Sequence, residues 1–364
     1  MGTRQIEGPE LDKLLQSMFE ARWHSLDEEP GLVRDRRHGE SPWGRGGGFH
    51  RPASVRLEIV NSATQSMESE LGLTIAAYAA PIGDGCGVGF NEDVLVAPAS
   101  VLKVPVALTV ESTVSLGELN PQERRVVPSG PRTPGPVGLS LMTDVVEISV
   151  RDLVTTMLTV SDNVATDELI AIVGIERINQ TVDNLGLRSW AVTSDIRTML
   201  DDVAHSVGFG DYLSLVRHRP DVNGAPDEEE LMRRIRSSPA LDPTQGTRTT
   251  ARDAVELLKG IWTDRAGPPV ACERIRWAME RQLVRARLAS GFGQDVSVAA
   301  KSGGLLGVVP NEIGVVRYPS GDAYAVAVFT RRGDGISADP RNVDRAIGAV
   351  AHILVDEIRL TRSS

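Results

Sequence analysis

The amino-acid sequence predicts an α+β fold, because strand patterns lie at both ends of the chain and helical patterns lie between them. Short stretches rich in branched residues, bounded by turn signals, occur near residues 74–90 and again near 296–331. The sequence between them has apolar residues at helical spacing. We therefore expect one sheet built from both chain ends and a helical middle.

Local patterns place the individual elements. Gly-Asp-Gly at 83–85 indicates a hairpin turn, Ser149 indicates a helix N-cap with Asp152 as its capping partner, and Gly186 indicates a helix end. Residues 130–138 form a Pro/Gly loop. We predict strands over residues 74–80, 88–90, 296–301, 312–318 and 323–331. We predict helices over residues 55–71, 100–114, 164–173, 176–185, 250–262, 274–288 and 341–360, and one that begins at 149.

Composition separates the first 53 residues from the remainder. Residues 11–23 have the apolar spacing of one helix face, and residues 28–51 are charged and glycine-rich, which indicates an extended arm. A basic nucleic-acid patch is the alternative for the arm, but acidic residues are interleaved with its arginines. We predict a helix and flexible arm over 1–53 and one domain over 54–364, with a helical subdomain at about 115–290. Within it, residues 190–245 are predicted to be irregular and charged.

Composition and charge exclude several classes of function. The chain has 364 residues, 41% of them hydrophobic, and its net charge of −10 argues against nucleic acid or an anionic membrane as the main partner. Two cysteines, Cys86 and Cys272, cannot form a four-thiolate zinc site and are expected to be free thiols. The scattered histidines predict no metal site, and no motif predicts a cofactor. The sequence shows no secretory signal or bilayer-spanning run, so we expect a cytoplasmic protein.

Lysine is rare in this chain, because only Lys13, Lys103, Lys259 and Lys301 are lysine and the other 35 basic residues are arginine. A buried lysine can lose its proton and act as a base, whereas arginine stays protonated. Two of the four lysines lie in short motifs that carry chemistry.

Three motifs occur in order along the domain, at residues 100–103 (SVLK), 161–163 (SDN) and 301–303 (KSG). Residues three apart share a helix face, so the Lys103 amine is expected beside the Ser100 hydroxyl. A neighbouring base activates a serine, and burial near a second cation such as Lys301 lowers a lysine pKa. Each motif alone has a structural alternative: a helix start, a helix-end turn or an edge strand. Their occurrence together and in order favours chemistry.

The three motifs resemble the signature of the serine penicillin-recognising enzymes, and the chain from about residue 55 onward resembles class A β-lactamases in particular. Residues 247–253 (TRTTARD) and 311–313 (NEI) also resemble segments of that family. The resemblance implies a class A β-lactamase-like fold, with an antiparallel sheet from both chain ends flanked by helices and an all-helical subdomain.

The resemblance implies four catalytic residues. Ser100 would be the acylated nucleophile, and Lys103 would be its base or proton relay. Ser161 would pass a proton to the leaving nitrogen, and Lys301 would orient Ser161.

The resemblance also implies a substrate-binding set. Asn163 would hold the amide side chain of the substrate, and Ser302 with the nearby lysine would attract an anionic group. Gly303 and Gly304 would line the same strand end, where the Gly304 N–H would join the Ser100 N–H in an oxyanion hole.

The sequence departs from the family at the step that releases the acyl group. Class A β-lactamases carry a glutamate in a Glu-x-x-Leu-Asn stretch of the Ω-loop, and residues 193–202 lack it. Asp195, Asp201 and Asp202 are the candidate deacylation bases; for each, the alternative is a surface residue without a catalytic role. The gap of 140 residues between Ser161 and Lys301 is longer than usual, with the excess in an enlarged Ω-loop region at about 190–245 that would form a lid or admit a second substrate.

A second departure concerns the substrate carboxylate. Pro310 precedes Asn311, where many family members carry an arginine. Arg285 or Arg287 would replace that arginine, and a solvated helix face is the alternative for both.

Three functions follow from the motifs and the departures. The first is a serine hydrolase that opens a β-lactam or another amide or ester. The second is a cytoplasmic acyltransferase in secondary metabolism, and the third is a β-lactam-binding homologue without hydrolysis. The expected partner is a small anionic acyl donor, with an amine acceptor in the second case; the sequence does not indicate an oligomeric state.

Overall fold

The computed structural model describes residues 53–218, 228–334 and 338–362, and a five-stranded antiparallel sheet forms its centre. Its strands are β1 (Leu73–Pro81), β2 (Val88–Phe90), β5 (Ser297–Gly303), β6 (Asn311–Arg317) and β7 (Ala323–Arg332). They are ordered β2-β1-β7-β6-β5, so β1 from the start of the domain pairs with β7 from its end. A separate two-stranded sheet joins β3 (Arg124–Val127) and β4 (Val146–Ser149).

The central sheet is covered on both faces, which explains why its strands are almost continuously apolar. On one face, Ile75 and Ala77 of β1 pack in a cluster with α1 (Ala53–Leu71) and α11 (Pro340–Arg362). On the other face, Ala76 and Tyr78 join the larger core that contains α9 (Ala251–Trp262) and the helical part of the chain.

The helical part surrounds α2 (Lys103–Ser115), which is buried along most of its length. Apolar residues occur on every side of this helix, which is the pattern of a helix without a solvent face. The remaining helices are α3 (Val150–Thr159), α4 (Asn163–Val173), α5 (Ile175–Asn184), α6 (Ile196–Ser206), α7 (Tyr212–Arg217), α8 (Glu228–Arg236) and α10 (Pro269–Met279). The 3-10 turns span Ala99–Leu102, Gly138–Leu141, Pro239–Leu241 and Leu288–Gly291.

Several local predictions are confirmed. The strand at 88–90 has the predicted bounds, and the other predicted strands and most helices shift by one to three residues. Ser149 is the N-cap of α3 and its hydroxyl accepts the Asp152 N–H at 3.3 Å. Gly186 has φ +77°, a left-handed conformation that suits glycine after a helix.

Three local predictions are wrong. Residues 190–245 are not irregular, because α6, α7 and α8 lie within them. The helix predicted over 274–288 runs instead over Pro269–Met279, with proline at its first position, and residues 280–287 leave the helix to bond the edge of β5. The helix predicted over 100–114 begins as a 3-10 turn, and the β3–β4 pair was not predicted.

The predicted helix at 11–23 and the arm at 28–51 lie outside the described residues, and the proposed domain boundaries stay a prediction. Cys86 and Cys272 are free thiols. Within the described ranges, no helix is long and apolar enough to cross a membrane, and no cluster of side chains has a composition that would hold a metal ion.

Candidate active site

Ser100 lies in the 3-10 turn Ala99–Leu102, directly before α2 and partly exposed. The preceding Ala99 has φ +48°, which costs energy for a residue with a Cβ and is the kind of strain that clusters at functional sites. The end of β5 packs against this turn. A Cβ at Gly303 would lie 2.6 Å from the Pro98 carbonyl oxygen, so only glycine lets the strand approach the nucleophile segment this closely.

Lys103 is completely buried at the start of α2, three residues after Ser100. Its Nζ lies 2.7 Å from the Ser161 carbonyl oxygen, 3.1 Å from Ser161 Oγ and 2.8 Å from Asn163 Oδ1. The structure therefore brings the first two predicted motifs together around one amine.

Burial lowers the pKa of Lys103 well below its usual range, because the charged form loses its hydration. The nearby Lys301 lowers this pKa further, whereas Asp162 and Asp167 oppose the shift. A neutral amine has two N–H donors and one lone pair. In that form Lys103 donates to the Ser161 and Asn163 oxygens and keeps a lone pair that can accept a hydroxyl proton.

The SDN motif is held in place by its middle residue. Asp162 is the N-cap of α4: its Oδ1 accepts the Ala165 N–H at 3.0 Å, and its Oδ2 accepts the Leu139 N–H at 2.6 Å. Ser161 has φ +64°, a second left-handed residue at the site. Asn163 Nδ2 donates to the Pro134 carbonyl oxygen at 2.7 Å, which leaves its Oδ1 facing Lys103.

The third motif lies at the end of the edge strand β5. Lys301 is completely buried, and its Nζ donates to the Ser302 carbonyl oxygen at 2.8 Å. Burial lowers the pKa of Lys301 to about 7, Glu312 opposes this shift, and Arg287 adds to it. The predicted contact of Lys301 with Ser161 is made instead by Lys103, while Lys301 acts on Lys103 through charge.

Ser302, Gly303 and Gly304 continue along the same strand end. Ser302 is 8% exposed, and Gly304 is exposed. The structure thus places three of the predicted substrate-binding residues at one strand end, next to Lys301, whereas the fourth, Asn163, lies on α4 against Lys103.

Arg285 and Arg287 do not lie on a solvated helix face, which was the alternative for both. Arg285 donates to the Val298 carbonyl oxygen at 2.8 Å. Arg287 donates to the Gly303 carbonyl oxygen at 2.6 Å, and its Nε pairs with Asp344 at 2.7 Å. Its second terminal nitrogen lies 3.8 Å from the position of a Cβ at Gly304, so Arg287 is the cation beside the strand end.

The three candidate deacylation bases serve other purposes in the structure. Asp195 is the N-cap of α6 and its Oδ1 accepts the Thr198 N–H at 2.7 Å. Asp201 Oδ1 accepts the Tyr212 N–H at 3.0 Å, and Asp202 is exposed. These contacts fix helix ends in the described part of the chain.

Asp167 is a carboxylate at the site that the sequence analysis missed. It lies one turn after Asn163 on α4 and accepts the Ile196 N–H at 2.8 Å and the Thr133 hydroxyl at 2.6 Å. Burial raises the pKa of Asp167 to about 6, and the nearby Asp195 adds to the rise. Its spacing of four residues from Asn163 on one helix face was the available signal.

Gln282 and Glu312 were also missed as contributors to the site. Gln282 Oε1 accepts the Ser302 N–H, and Gln282 Nε2 donates to Glu312 Oε1 at 2.9 Å. No local pattern marks Gln282, which was placed in a predicted helix. Glu312 was noted only as part of the NEI segment.

Comparison with known proteins agrees with this geometry. A family model described as the beta-lactamase enzyme family matches residues 59–358. BlaB, a β-lactamase regulatory protein of Streptomyces cacaoi, is 30% identical over 302 residues, which cover 80% of this chain and 94% of that protein.

Solved structures show the same fold. A β-lactamase from Sphaerobacter thermophilus matches with a TM-score of 0.63 at 24% identity, covering 83% of this chain and 96% of its own. A mutant of PBP-A, described as an acyl-enzyme complex with penicillin G, matches with a TM-score of 0.63 at 20% identity, covering 85% and 98% of the two chains. The predicted class A β-lactamase-like α+β fold is thereby confirmed.

Proposed function

The chain belongs to the beta-lactamase enzyme family, and from that premise we propose that Ser100 is acylated by a β-lactam or a related amide or ester, and that water releases the acyl group slowly. The arrangement around Lys103 is the observation that carries this proposal. A fully buried amine with a lowered pKa, in contact with Ser161 Oγ, is suited to act as a general base.

Acylation needs a proton to move from the nucleophile to the leaving group. The Ser100 oxygen forms a bond to the acyl carbon, and its proton passes to the Lys103 amine. The C–N bond then breaks, the leaving nitrogen takes the Ser161 hydroxyl proton, and Lys103 returns its proton to Ser161. The contact of 3.1 Å between Lys103 Nζ and Ser161 Oγ supports this last transfer.

Slow release follows from the roles of the acidic residues. Attack by water on an acyl-enzyme needs a base beside that water. Asp195 and Asp201 bond backbone N–H groups at helix ends, and Asp202 is exposed. A carboxylate held as a helix cap is a poor candidate for a mobile proton acceptor, so the acyl-enzyme is expected to persist.

An anionic substrate fits the charge of the strand end. Lys301 and Arg287 supply positive charge next to Ser302 and Gly304. A carboxylate on the acyl donor would bind there, while its amide would reach Asn163. A persistent acyl-enzyme would also leave time for attack by an amine, which is the acyltransferase form of the same chemistry.

Two of the relatives are compatible with acylation without rapid turnover. BlaB is named as a regulatory protein, and the PBP-A structure is described as an acyl-enzyme with penicillin G. Acylation of Ser100 without fast release would suit a protein that responds to β-lactams.

Intact-protein mass spectrometry with penicillin G tests the proposal. The wild-type protein is expected to gain the mass of one penicillin G, the adduct is expected on Ser100 in the peptide map, and Ser100→Ala is expected to stay unmodified. Ser290→Ala, at an exposed hydroxyl of the 3-10 turn Leu288–Gly291, is the matched control and should be acylated normally. A wild-type protein that gains no adduct and consumes no penicillin G would contradict the proposal.

A further inference from the structure

On the outer edge of β5, the backbone N–H and carbonyl groups of Ser302 form hydrogen bonds with side chains. β5 is the last strand of the sheet, and no other strand of the described residues pairs with this edge. The Ser302 N–H donates to Gln282 Oε1, and the Ser302 carbonyl oxygen accepts from Lys301 Nζ at 2.8 Å. A shift of the Ser302 backbone would therefore also move the carbonyl oxygen that holds the Lys301 amine.

Gln282 is itself fixed by Glu312. Gln282 Nε2 donates to Glu312 Oε1 at 2.9 Å and to the Val284 carbonyl oxygen at 3.0 Å, while Glu312 Oε2 accepts the Leu288 N–H at 2.6 Å. Gln282 is 4% exposed and Glu312 is 1% exposed. A buried chain in which each polar atom has a partner favours a single arrangement of its members.

Glu312 also determines the charge around Lys301. It lies directly opposite Ser302 in the β5–β6 pair. The charged groups that act on Lys301 or respond to it are Glu312 from β6, Arg287 from the preceding segment and Lys103 from α2. Glu312 is the acidic group among these three; burial raises its own pKa, and its carboxylate opposes the effect of burial on the pKa of Lys301.

We infer that Gln282 and Glu312 are positioning residues of the active site: their hydrogen bonds hold the Ser302 edge of β5, whose carbonyl oxygen anchors the Lys301 side chain. The catalytic consequence rests on the proposed function. The effect of Glu312 on the charge of Lys301 is the electrostatic part of this inference; it is a property of the protein before acylation, so the two parts can be tested separately.

The small number of lysines allows a direct test of the charge. Protein labelled with [ε-13C]lysine gives signals from four residues, and the signal lost in Lys301→Met identifies Lys301. In wild-type protein we expect this signal to titrate with a midpoint of about 7. In Glu312→Gln we expect the midpoint to fall by at least about half a unit, or roughly threefold in proton affinity. Glu312→Asp, which keeps the charge, should titrate close to wild type.

A second buried glutamate provides the matched control. Glu111 is 3% exposed, pairs with Arg274 at 3.1 Å and lies on α2 at roughly 12 Å along the axis from Lys103. Glu111→Gln should lower thermal stability without moving the Lys301 midpoint. A Lys301 midpoint that is unchanged in folded Glu312→Gln, or that moves equally in Glu111→Gln, would overturn the electrostatic part.

Gln282→Leu tests the positional part. It removes the acceptor of the Ser302 N–H but keeps the Glu312 charge, so we expect acylation by penicillin G to slow roughly tenfold to a hundredfold, with a smaller change of the Lys301 midpoint than in Glu312→Gln. Acylation at the wild-type rate would overturn this part. If wild-type protein forms no Ser100 adduct, the proposed function fails, and the Lys301 titration still decides the inference.

Discussion

The two sides of the candidate site bury their charged groups in different ways. On the side of α2, the Lys103 amine contacts the Ser161 hydroxyl and the Asn163 amide, both of which can take part in proton transfer or substrate binding. On the side of α6, the Asp167 and Asp195 carboxylates bond backbone N–H groups at the start of a helix. The groups needed for acylation are therefore free to react, whereas the acidic side chains near the expected deacylation region stabilise the start of a helix.

Removal of the buried amine should give the largest effect. Lys103→Met deletes the base and should slow Ser100 acylation by penicillin G on the order of 10³-fold. Lys259→Met, at a lysine of α9 that contacts Glu256 at 3.4 Å, should acylate within about twofold of wild type. Rates from mass spectra at fixed times measure both. Fast acylation of folded Lys103→Met would show that Lys103 is not the base for acylation.

The other side should respond to pH through stability. The folded-state pKa of Asp167 is about 6, above its usual 3.8, so folding favours the protonated form. Its contribution to stability is therefore present below about pH 4 and is lost as pH rises through about 6. The difference in unfolding free energy between wild type and Asp167→Asn should change by about 2 kcal/mol between pH 4 and pH 6.

Denaturant unfolding at several pH values measures this difference, and other titrating groups cancel between the two proteins. A difference that is constant from pH 4 to pH 6 would show that Asp167 has no raised pKa. Asp167 would then be an ordinary ionised helix-end carboxylate at neutral pH, without a cost of burial.

The charge of Lys301 should affect how well an anionic substrate binds. As pH rises from 6 to 8, a group with a pKa of about 7 loses most of its proton, so acylation by anionic penicillin G should fall about tenfold. The methyl ester of penicillin G lacks the carboxylate and should show a flatter profile. Identical profiles for the two compounds would remove the anion-binding role from Lys301.

Two helix caps provide the smallest and sharpest test. Asp195 and Asp211 each cap a helix with a bond of 2.7 Å, to the Thr198 and Ser214 N–H groups respectively. Asp195→Ala and Asp211→Ala should each lower the melting temperature slightly, because each loses a helix cap, and the acyl-enzyme should decay at nearly the same rate in both variants as in wild type. Slower decay in Asp195→Ala alone would identify Asp195 as the deacylation base and contradict the inference that it serves only as a helix cap.

The parts of the fold that could be predicted are those with local signals. The SVLK and SDN motifs are contiguous, and Ser149 and Gly186 mark helix ends within a few residues. The apolar spacing of α6, at Ile196 and Leu200, was also present, but the charged residues around it led to the prediction of an irregular segment.

The supporting residues could not be predicted because their partners are distant in sequence. Gln282 lies 20 residues from Ser302 and 30 from Glu312. Asp167 lies 29 residues from Ile196. Pairing across such separations is decided by the packing of β5, β6, α4 and α6, which no local pattern records.

Acylation of Ser100 and release of the acyl group can be followed together in one reaction. Wild-type protein is mixed with excess penicillin G, and the Ser100 adduct and the hydrolysed lactam are quantified together over time. We expect rapid formation of one adduct per chain, followed by hydrolysis that is much slower than acylation. Continuous hydrolysis of many equivalents without accumulation of the adduct would contradict this expectation.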